Sequence, residues 1–257
     1  RANIGVVVGA ATDVAKETAD LILLDNNFKT IVAAVEEGRI IFENIRKVVA
    51  YTLSNSFAEV LLVFGAMLLG WPAPLLVAQI LWIHLICDGP SDIVLGFEPK
   101  EDGIMEEPPK PVDEPVLNSL GLSLIAIIST VSATVGLTLF GHYYLQHNNP
   151  LEGRSLIFAS FALNSLIYIF AYRSLRRSIF HMNPLRTNKP LIWAVLSGLL
   201  LAFLPFLIPG LGKVMEIAPL HLNDWLLVAG VALGLLGVVE IGKWATNKRR
   251  SAQQSAR

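Results

Sequence analysis

Val48-Val49-Ala50-Tyr51-Thr52-Leu53-Ser54-Asn55-Ser56-Phe57-Ala58-Glu59 opens an apolar run that continues to Leu69, and Ile83-His84-Leu85-Ile86-Cys87-Asp88-Gly89-Pro90-Ser91-Asp92 lies inside a second run from about Leu75 to Phe97. Each run is roughly 20 residues, long enough to cross a bilayer as a helix. A carboxylate at membrane depth is expensive and marks an ion path or a proton relay. No Lys or Arg lies between Val48 and Pro99. A bound cation or a proton is therefore the natural compensation for Glu59, Asp88 and Asp92.

The spacing gathers these groups into one site. Asn55 and Glu59 are four apart and share a helix face, with Ser56 beside them. His84, Asp88 and Asp92 are also spaced by four, but Gly89-Pro90 interrupts them. Proline disfavours the α conformation before it and removes a donor, so a plain helix is expected to break there. A break frees carbonyl oxygens beside a carboxylate, an oxygen set that suits a hard cation. Irregular backbone at that depth must line a cavity or be buried in protein. The plain alternative is a proline kink whose protonated acids serve packing. Glu59 is twelve residues before Trp71, and Asp88 is fourteen after Pro74. Both acids thus lie roughly 18–21 Å from the Trp71 to Pro74 turn, near mid-membrane.

Outward from this hairpin the chain is uneven. It has 257 residues, 53% hydrophobic, with net charge −1, and the apolar excess follows Val48. Near-zero charge gives no reason to expect nucleic-acid binding. The single Cys87 excludes an internal disulfide and a multi-cysteine metal site. Ile4-Gly5-Val6-Val7-Val8-Gly9 reads as a buried strand, Val14 to Ala19 as a short helix capped by Thr12 or Asp13, and Leu21 to Leu24 as a second strand before the turn Asp25-Asn26-Asn27. Strand, helix and strand suggest the edge of an α/β domain, too small to close a core alone. With no initiator Met, the chain reads as a piece of something longer.

From Phe28 the apolar positions Ile31, Val32, Val35, Ile40, Ile41, Ile45 and Val48 recur at helical spacing, and no proline occurs before Pro72. One long helix is expected to run from the soluble part into the membrane; the alternative is two helices with a bend at Gly38. After the second span comes a charged, proline-rich loop, Glu98 to Glu114 through Asp113. Four further spans follow at about 117–143, 155–172, 190–210 and 223–243. The 173–189 loop holds Arg173, Arg176, Arg177, Arg186 and Lys189, and the tail holds Lys243, Lys248, Arg249, Arg250 and Arg257. The opposite side has Arg154 and Lys213. This bias puts both termini in the cytosol. The tail after Lys248 is expected to be disordered. Asn164 and Ser165, mid-span, are read as interhelical hydrogen-bonding groups within reach of the site. Glu240 beside Lys243 is read as interfacial and solvated, and Cys87 as a buried small side chain or a soft ligand.

Several stretches together resemble one family. They are Ile4 to Gly9, Thr12-Asp13-Val14-Ala15-Lys16, Asp25-Asn26-Asn27-Phe28, Ile31 to Arg39, Leu81-Trp82, Asp88-Gly89, Leu95-Gly96-Phe97 with Pro99, and Met105 with Pro108-Pro109. In this order they resemble the end of the phosphorylation domain and the fifth and sixth membrane helices of a P-type cation-transporting ATPase, in the calcium-pump and sodium-pump branch. Residues 117–243 match that family only as four more spans.

The resemblance implies an α-helical membrane protein with six transmembrane helices after a small α/β, HAD-like phosphorylation-domain remnant. Residues 1–27 would end the cytosolic phosphorylation domain and 28–47 form a stalk helix. Residues 48–97 would be membrane helices five and six, 98–116 a cytosolic loop, 117–243 helices seven to ten, and 244–257 a cytosolic tail. Glu59 falls on the family's cation-binding glutamate and Asp88 on its sixth-helix aspartate, so these are the metal-ligating candidates. Asn55, Ser56, His84 and Cys87 complete the expected cation site, with Asp92 and Asn164 as possible additions. Ser56 and His84 stand where the family has asparagine, and Cys87 where it has threonine. Two retained carboxylates fit calcium, while His84 and Cys87 fit a softer or proton-coupled cation.

In the full-length pump the resemblance implies ATP and Mg as cofactors, and the bilayer and the upstream part of the pump as partners. An accessory subunit is left open. This stretch has no Asp-Lys-Thr-Gly-Thr sequence, and alone it is expected to be inactive toward ATP. The rival readings are a separately encoded non-catalytic membrane subunit and a secondary cation transporter.

Overall fold

Nothing in the covalent chain stops a helix between residues 29 and 68: no proline intervenes, and the apolar spacing runs through Gly38. In the structure, a computed structural model describing residues 4–25, 27, 29–111, 114–147, 149–179 and 188–255, that stretch is one unbroken helix, α2, Lys29–Leu68. It is about 60 Å long at 1.5 Å per residue. The one long helix expected is therefore the arrangement found, and the alternative bend at Gly38 does not occur. Asn26, Phe28, Asp113, Arg186 and Arg257, named above, lie outside the described residues. α2 is shared between two units, 1–43 with 100–111 and 44–99 with 112–257.

In the first unit, β1 (Val6–Val8) pairs in parallel with β2 (Leu21–Leu23), Val7 opposite Ile22. The connecting helix α1 (Asp13–Glu17) is capped by Thr12, whose side chain accepts from the Ala15 N–H. The start of α2 is capped in the same way. Asp25 accepts from the Asn27 N–H at 3.1 Å and the Thr30 hydroxyl at 2.5 Å, and Asn27 accepts from the Lys29 N–H at 3.0 Å. The Thr30 hydroxyl, with the Asn27 N–H behind it, holds the Asp25 carboxyl below its usual range. The 100–111 segment is pinned to α2. Arg39 donates to the carbonyls of Ile104 and Glu107, both at 2.8 Å, Lys100 pairs with Glu36, and Lys110 pairs with Glu43.

In the second unit α2 ends at a glycine turn. Gly70 has φ +70°, a conformation only glycine adopts freely, and the Trp71 N–H returns to the Ala66 carbonyl. The returning segment is α3 (Val77–Leu81), a π segment (Trp82–Asp88) and α4 (Gly89–Leu95), without a gap. The break expected at Gly89-Pro90 is therefore a correction. The chain does not unwind there, and Gly89 keeps helical angles at φ −49°, ψ −50°. Pro90 lacks an N–H, and the preceding turn widens to π geometry instead of opening.

Beyond this lie α5 (Ser119–His147), α6 (Pro150–Tyr172), α7 (Lys189–Leu207), α8 (Pro209–Val214) and α9 (Leu222–Ser255). Among the described residues five helices are long and apolar enough to cross a membrane: α2, α5, α6, α7 and α9. The second span, expected from about Leu75 to Phe97, is built of α3, the π segment and α4 and is not a single α-helix. α9 is assigned as helix as far as Ser255, through the start of the stretch after Lys248. α6 is the inner helix, with 83% of its most apolar window buried against 28% for α9. Its small residues Gly153, Ala159, Ser160, Ala162 and Ser165 let neighbours approach closely, which is what drives helix association in lipid.

Two expected surface charges are inside. Lys243 is 2% exposed and donates to the Ala171 carbonyl at the end of α6 and to Glu240 at 2.8 Å. Glu240 also accepts from the Ile179 N–H. The pair caps a helix end and is not solvated as expected, because α9 packs against α6.

Candidate functional site

α2 presents Asn55 and Glu59 one turn apart, and both are buried. Facing them across the pair are His84 and Asp88 from the π segment. His84 Nε2 is 2.8 Å from Glu59 Oε2, and Asn55 Nδ2 donates to Asp88 Oδ2 at 3.4 Å. As residue numbers fall along α2 they rise along its partner, so the two segments are antiparallel. Glu59 is level with His84, and Asp88 is level with Asn55, one turn nearer the start of α2.

The acids divide into two half-sites. Glu59 and His84 border a cavity of about 470 Å³, lined also by Ser56, Val60, Phe64 and Met67. Asp88 is 1% exposed and points toward α6, where the Ser165 hydroxyl donates to Oδ1 at 2.7 Å. Asn55 links the halves: it sits one turn from Glu59 and bonds Asp88. Widened π geometry explains the split. Residues four apart on an α-helix share a face, but those on a π turn do not. Among the described residues no group of three or more His, Cys, Asp or Glu is close enough to hold a metal ion. The oxygens available for a hard cation are Glu59, Asp88, Asn55, Ser56 and Ser165.

The other expected residues fall at different distances from this centre. Cys87 is fully buried beside Asp88, and its backbone carbonyl lies against Gly198 of α7. Asp92 lies one turn beyond Asp88 and is half-buried. Asn164 donates to Ser160 on its own helix, and its Oδ1 has no partner. Ser165 is the member that reaches Asp88. The sequence carried one signal for it, a polar residue at mid-span, but that signal did not separate it from Asn164.

The site is braced from outside the hairpin. A Cβ on Gly198 of α7 would sit 2.6 Å from the Cys87 carbonyl oxygen, so only glycine allows α7 this close to the π segment. The Trp82 Nε1 donates to the Leu201 carbonyl of α7 at 3.1 Å. Below α4, Glu98 is 3% exposed and binds Arg173 at 2.6 and 2.9 Å and Asn188 at 2.7 Å. Asn44 donates to the Glu98 carbonyl at 2.7 Å. Sequence reading placed Glu98 and Arg173 in loops. Packing of α2, α6 and α7 around Glu98 buries both, and the ion pair compensates for their desolvation.

Comparison with known proteins agrees with this architecture. The family profile described as "Cation transporting ATPase, C-terminus" matches residues 72–245. The chain is 37% identical over 234 residues to the "Calcium-transporting ATPase" of Bacillus subtilis, covering 90% of this chain and 26% of that protein. It is 34% identical to the "Probable cation-transporting ATPase F" of Mycobacterium bovis, covering 93% and 26%. It is also 34% identical to the "Calcium-transporting ATPase type 2C member 1" of Mus musculus, covering 99% and 28%. The chain thus spans between a quarter and a third of the length of these relatives.

Proposed function

The chain belongs to the cation-transporting ATPases as their C-terminal membrane part, and on that premise we propose that it carries part of the intramembrane cation site of an ATP-driven pump. The observation that carries this reading is the pair Glu59 and Asp88: two buried carboxylates on adjacent antiparallel membrane segments, joined through Asn55. Buried acids without a Lys or Arg in either segment call for a cation. Calcium is the transported ion favoured here. Glu59, Asp88 and the amide and hydroxyl oxygens beside them are hard ligands, and relatives in Bacillus subtilis and Mus musculus are named calcium-transporting. Cys87 is left out of the ligand set, because a thiol is a soft ligand and the other groups are hard oxygens.

In this reading residues 77–95 act as a sixth span, its turns adapted to the site. Residues 4–25 are the edge of the phosphorylation domain. Both termini face the cytosol, where Arg176, Arg177, Lys189 and Lys248 are concentrated. α2, continuous from Lys29 to Glu59 and beyond, carries movement of the stalk to the site. Phosphorylation and dephosphorylation elsewhere in the pump change access to Glu59 and Asp88. The chain has no Asp-Lys-Thr-Gly-Thr stretch, so no residue here is assigned to ATP or Mg.

The test uses the intact pump. Glu59→Gln and Asp88→Asn should each abolish cation-dependent phosphorylation from ATP. Phosphorylation from inorganic phosphate, which needs no transported ion in this reading, should survive. Cation-dependent phosphorylation that is unchanged in both variants would remove Glu59 and Asp88 from the transport site.

A further inference from the structure

One side of α7 is held to the π segment. Pro205 inside α7 has no N–H to give to the Leu201 carbonyl four residues back. Trp82 Nε1 takes that carbonyl at 3.1 Å, and Gly198, three residues earlier, lies against the Cys87 carbonyl. On its other side α7 leaves a groove of about 450 Å³. Leu163 of α6, Phe203, Phe206 and Leu207 of α7, and Trp225 and Ala229 of α9 form its walls.

Pro219 and Leu220 roof the groove at one end. That end lies with the Trp71 turn, because the loop before the roof is tied to it. Gln79 donates to the Met215 carbonyl, and Arg154 donates to the Ala73 carbonyl and to Glu216. The Ala218 N–H donates to Ser155 Oγ at 2.7 Å, which sets the roof level with Ser155 on α6. Leu163 is eight residues further along α6, about 12 Å deeper. The groove therefore runs within one leaflet and stops near the middle of a hydrocarbon core about 30 Å thick.

The walls are apolar and partly open. Trp225 packs on Phe203 and Phe206, with centroids 4.8 and 5.0 Å away, and Ala229 leaves room that a larger side chain would fill. Leu207 at the rim is 69% exposed, and at this depth that exposure is to lipid. His221 and Asn223, both exposed, stand at the roof end, with Trp225 at the boundary where tryptophan favours the headgroup level.

Depth selects the occupant. A spanning partner helix needs a groove about 30 Å long, more than twice this one. A charged ligand would meet no charged side chain in the walls. A lipid chain of that leaflet has the matching length and polarity.

We propose that this groove binds one acyl chain of a phospholipid from the leaflet that holds the Trp71 turn, as a resident lipid. The headgroup lies beside His221 and Asn223. The groove is separate from Glu59 and Asp88, so the proposal does not depend on which ion is carried.

The test reconstitutes the intact pump in dioleoyl phosphatidylcholine vesicles. They contain a small fraction of phosphatidylcholine that carries a diazirine midway along one chain. After irradiation, labelled residues are mapped by peptide mass spectrometry. Leu200 and Leu233, each 63% exposed, report contact with passing lipid. Label on Phe206 and Trp225 should exceed theirs about tenfold, and Ala229→Phe, which fills the groove, should bring it down to their level. Phosphorylation from inorganic phosphate identifies folded variants, and Ala229→Leu takes the place of Ala229→Phe if the larger ring prevents folding. Label that simply follows exposure would overturn the proposal, and so would enrichment that survives the filling substitution.

Discussion

His84 Nε2 stands 2.8 Å from Glu59 Oε2 at the edge of the cavity, so an imidazole occupies one of the oxygens a cation would use. A cation bound at Glu59 must displace this contact or share it. If the cation binds at Glu59, ion choice is expected to depend on His84 even without ligation by its nitrogen. His84→Asn should shift the ratio of half-saturating concentrations for Ca²⁺ and a softer ion such as Mn²⁺, measured by phosphorylation of the intact pump. An unchanged ratio would make the His84 contact a matter of packing.

Ser165 holds Asp88 more tightly than Asn55 does, at 2.7 Å against 3.4 Å. Ser165→Ala leaves one buried carboxylate oxygen unsatisfied, a cost of about 1–3 kcal/mol. Cation affinity should fall in Ser165→Ala and recover in Ser165→Thr, which restores the hydroxyl. Equal affinities in the two variants would rule out this role.

Gly198→Ala places a Cβ 2.6 Å from a backbone oxygen, which cannot swing aside as a side chain can. Overpacking of this kind costs about 1–3 kcal/mol. The variant should unfold at lower temperature in detergent and bind its cation more weakly, because the oxygen belongs to Cys87, next to Asp88. Wild-type values for both would mean that α7 moves away freely.

The Glu98 and Arg173 pair is buried on both sides, at 3% and 1% exposure. Arg173→Ala strands a buried carboxylate with Asn188 as its remaining side-chain donor among the described residues, and should destabilise by about 3–5 kcal/mol. Denaturant unfolding of the purified pump measures this. A loss below about 1 kcal/mol would mean that water reaches Glu98.

Asp25 should make the start of α2 sensitive to acid. Its carboxyl is held below the usual range, so its support is complete above the ordinary carboxylate pKa and is lost as pH falls through the lowered value. Hydrogen exchange at residues 29–33 should be slower in wild type than in Asp25→Ala at pH 7, and the difference should vanish in acid. No difference between the two at pH 7 would assign the capping to Asn27 alone.

Much of the architecture is set by local sequence. Length and polarity alone determine that the run from Val48 to Leu69 can span a bilayer. The absence of proline before Pro72 allows α2 to be one rod, and four-residue spacing puts Asn55 and Glu59 on one face. Charge counting likewise marks Glu59 and Asp88 as the expensive residues. These readings succeed because helix formation is governed by neighbours three and four residues away. Tertiary packing decided the rest. The turn before Pro90 widens into a π segment, turning His84 toward Glu59 and Asp88 toward Ser165, a choice that depends on α6 and α7 lying alongside. Glu98 and Arg173 look like loop charges until three helices close over them, and Gly198 is an ordinary membrane glycine until it meets the Cys87 carbonyl. Burial and hydrogen bonding across helices join residues 75 or more positions apart, and no local pattern encodes which partner arrives.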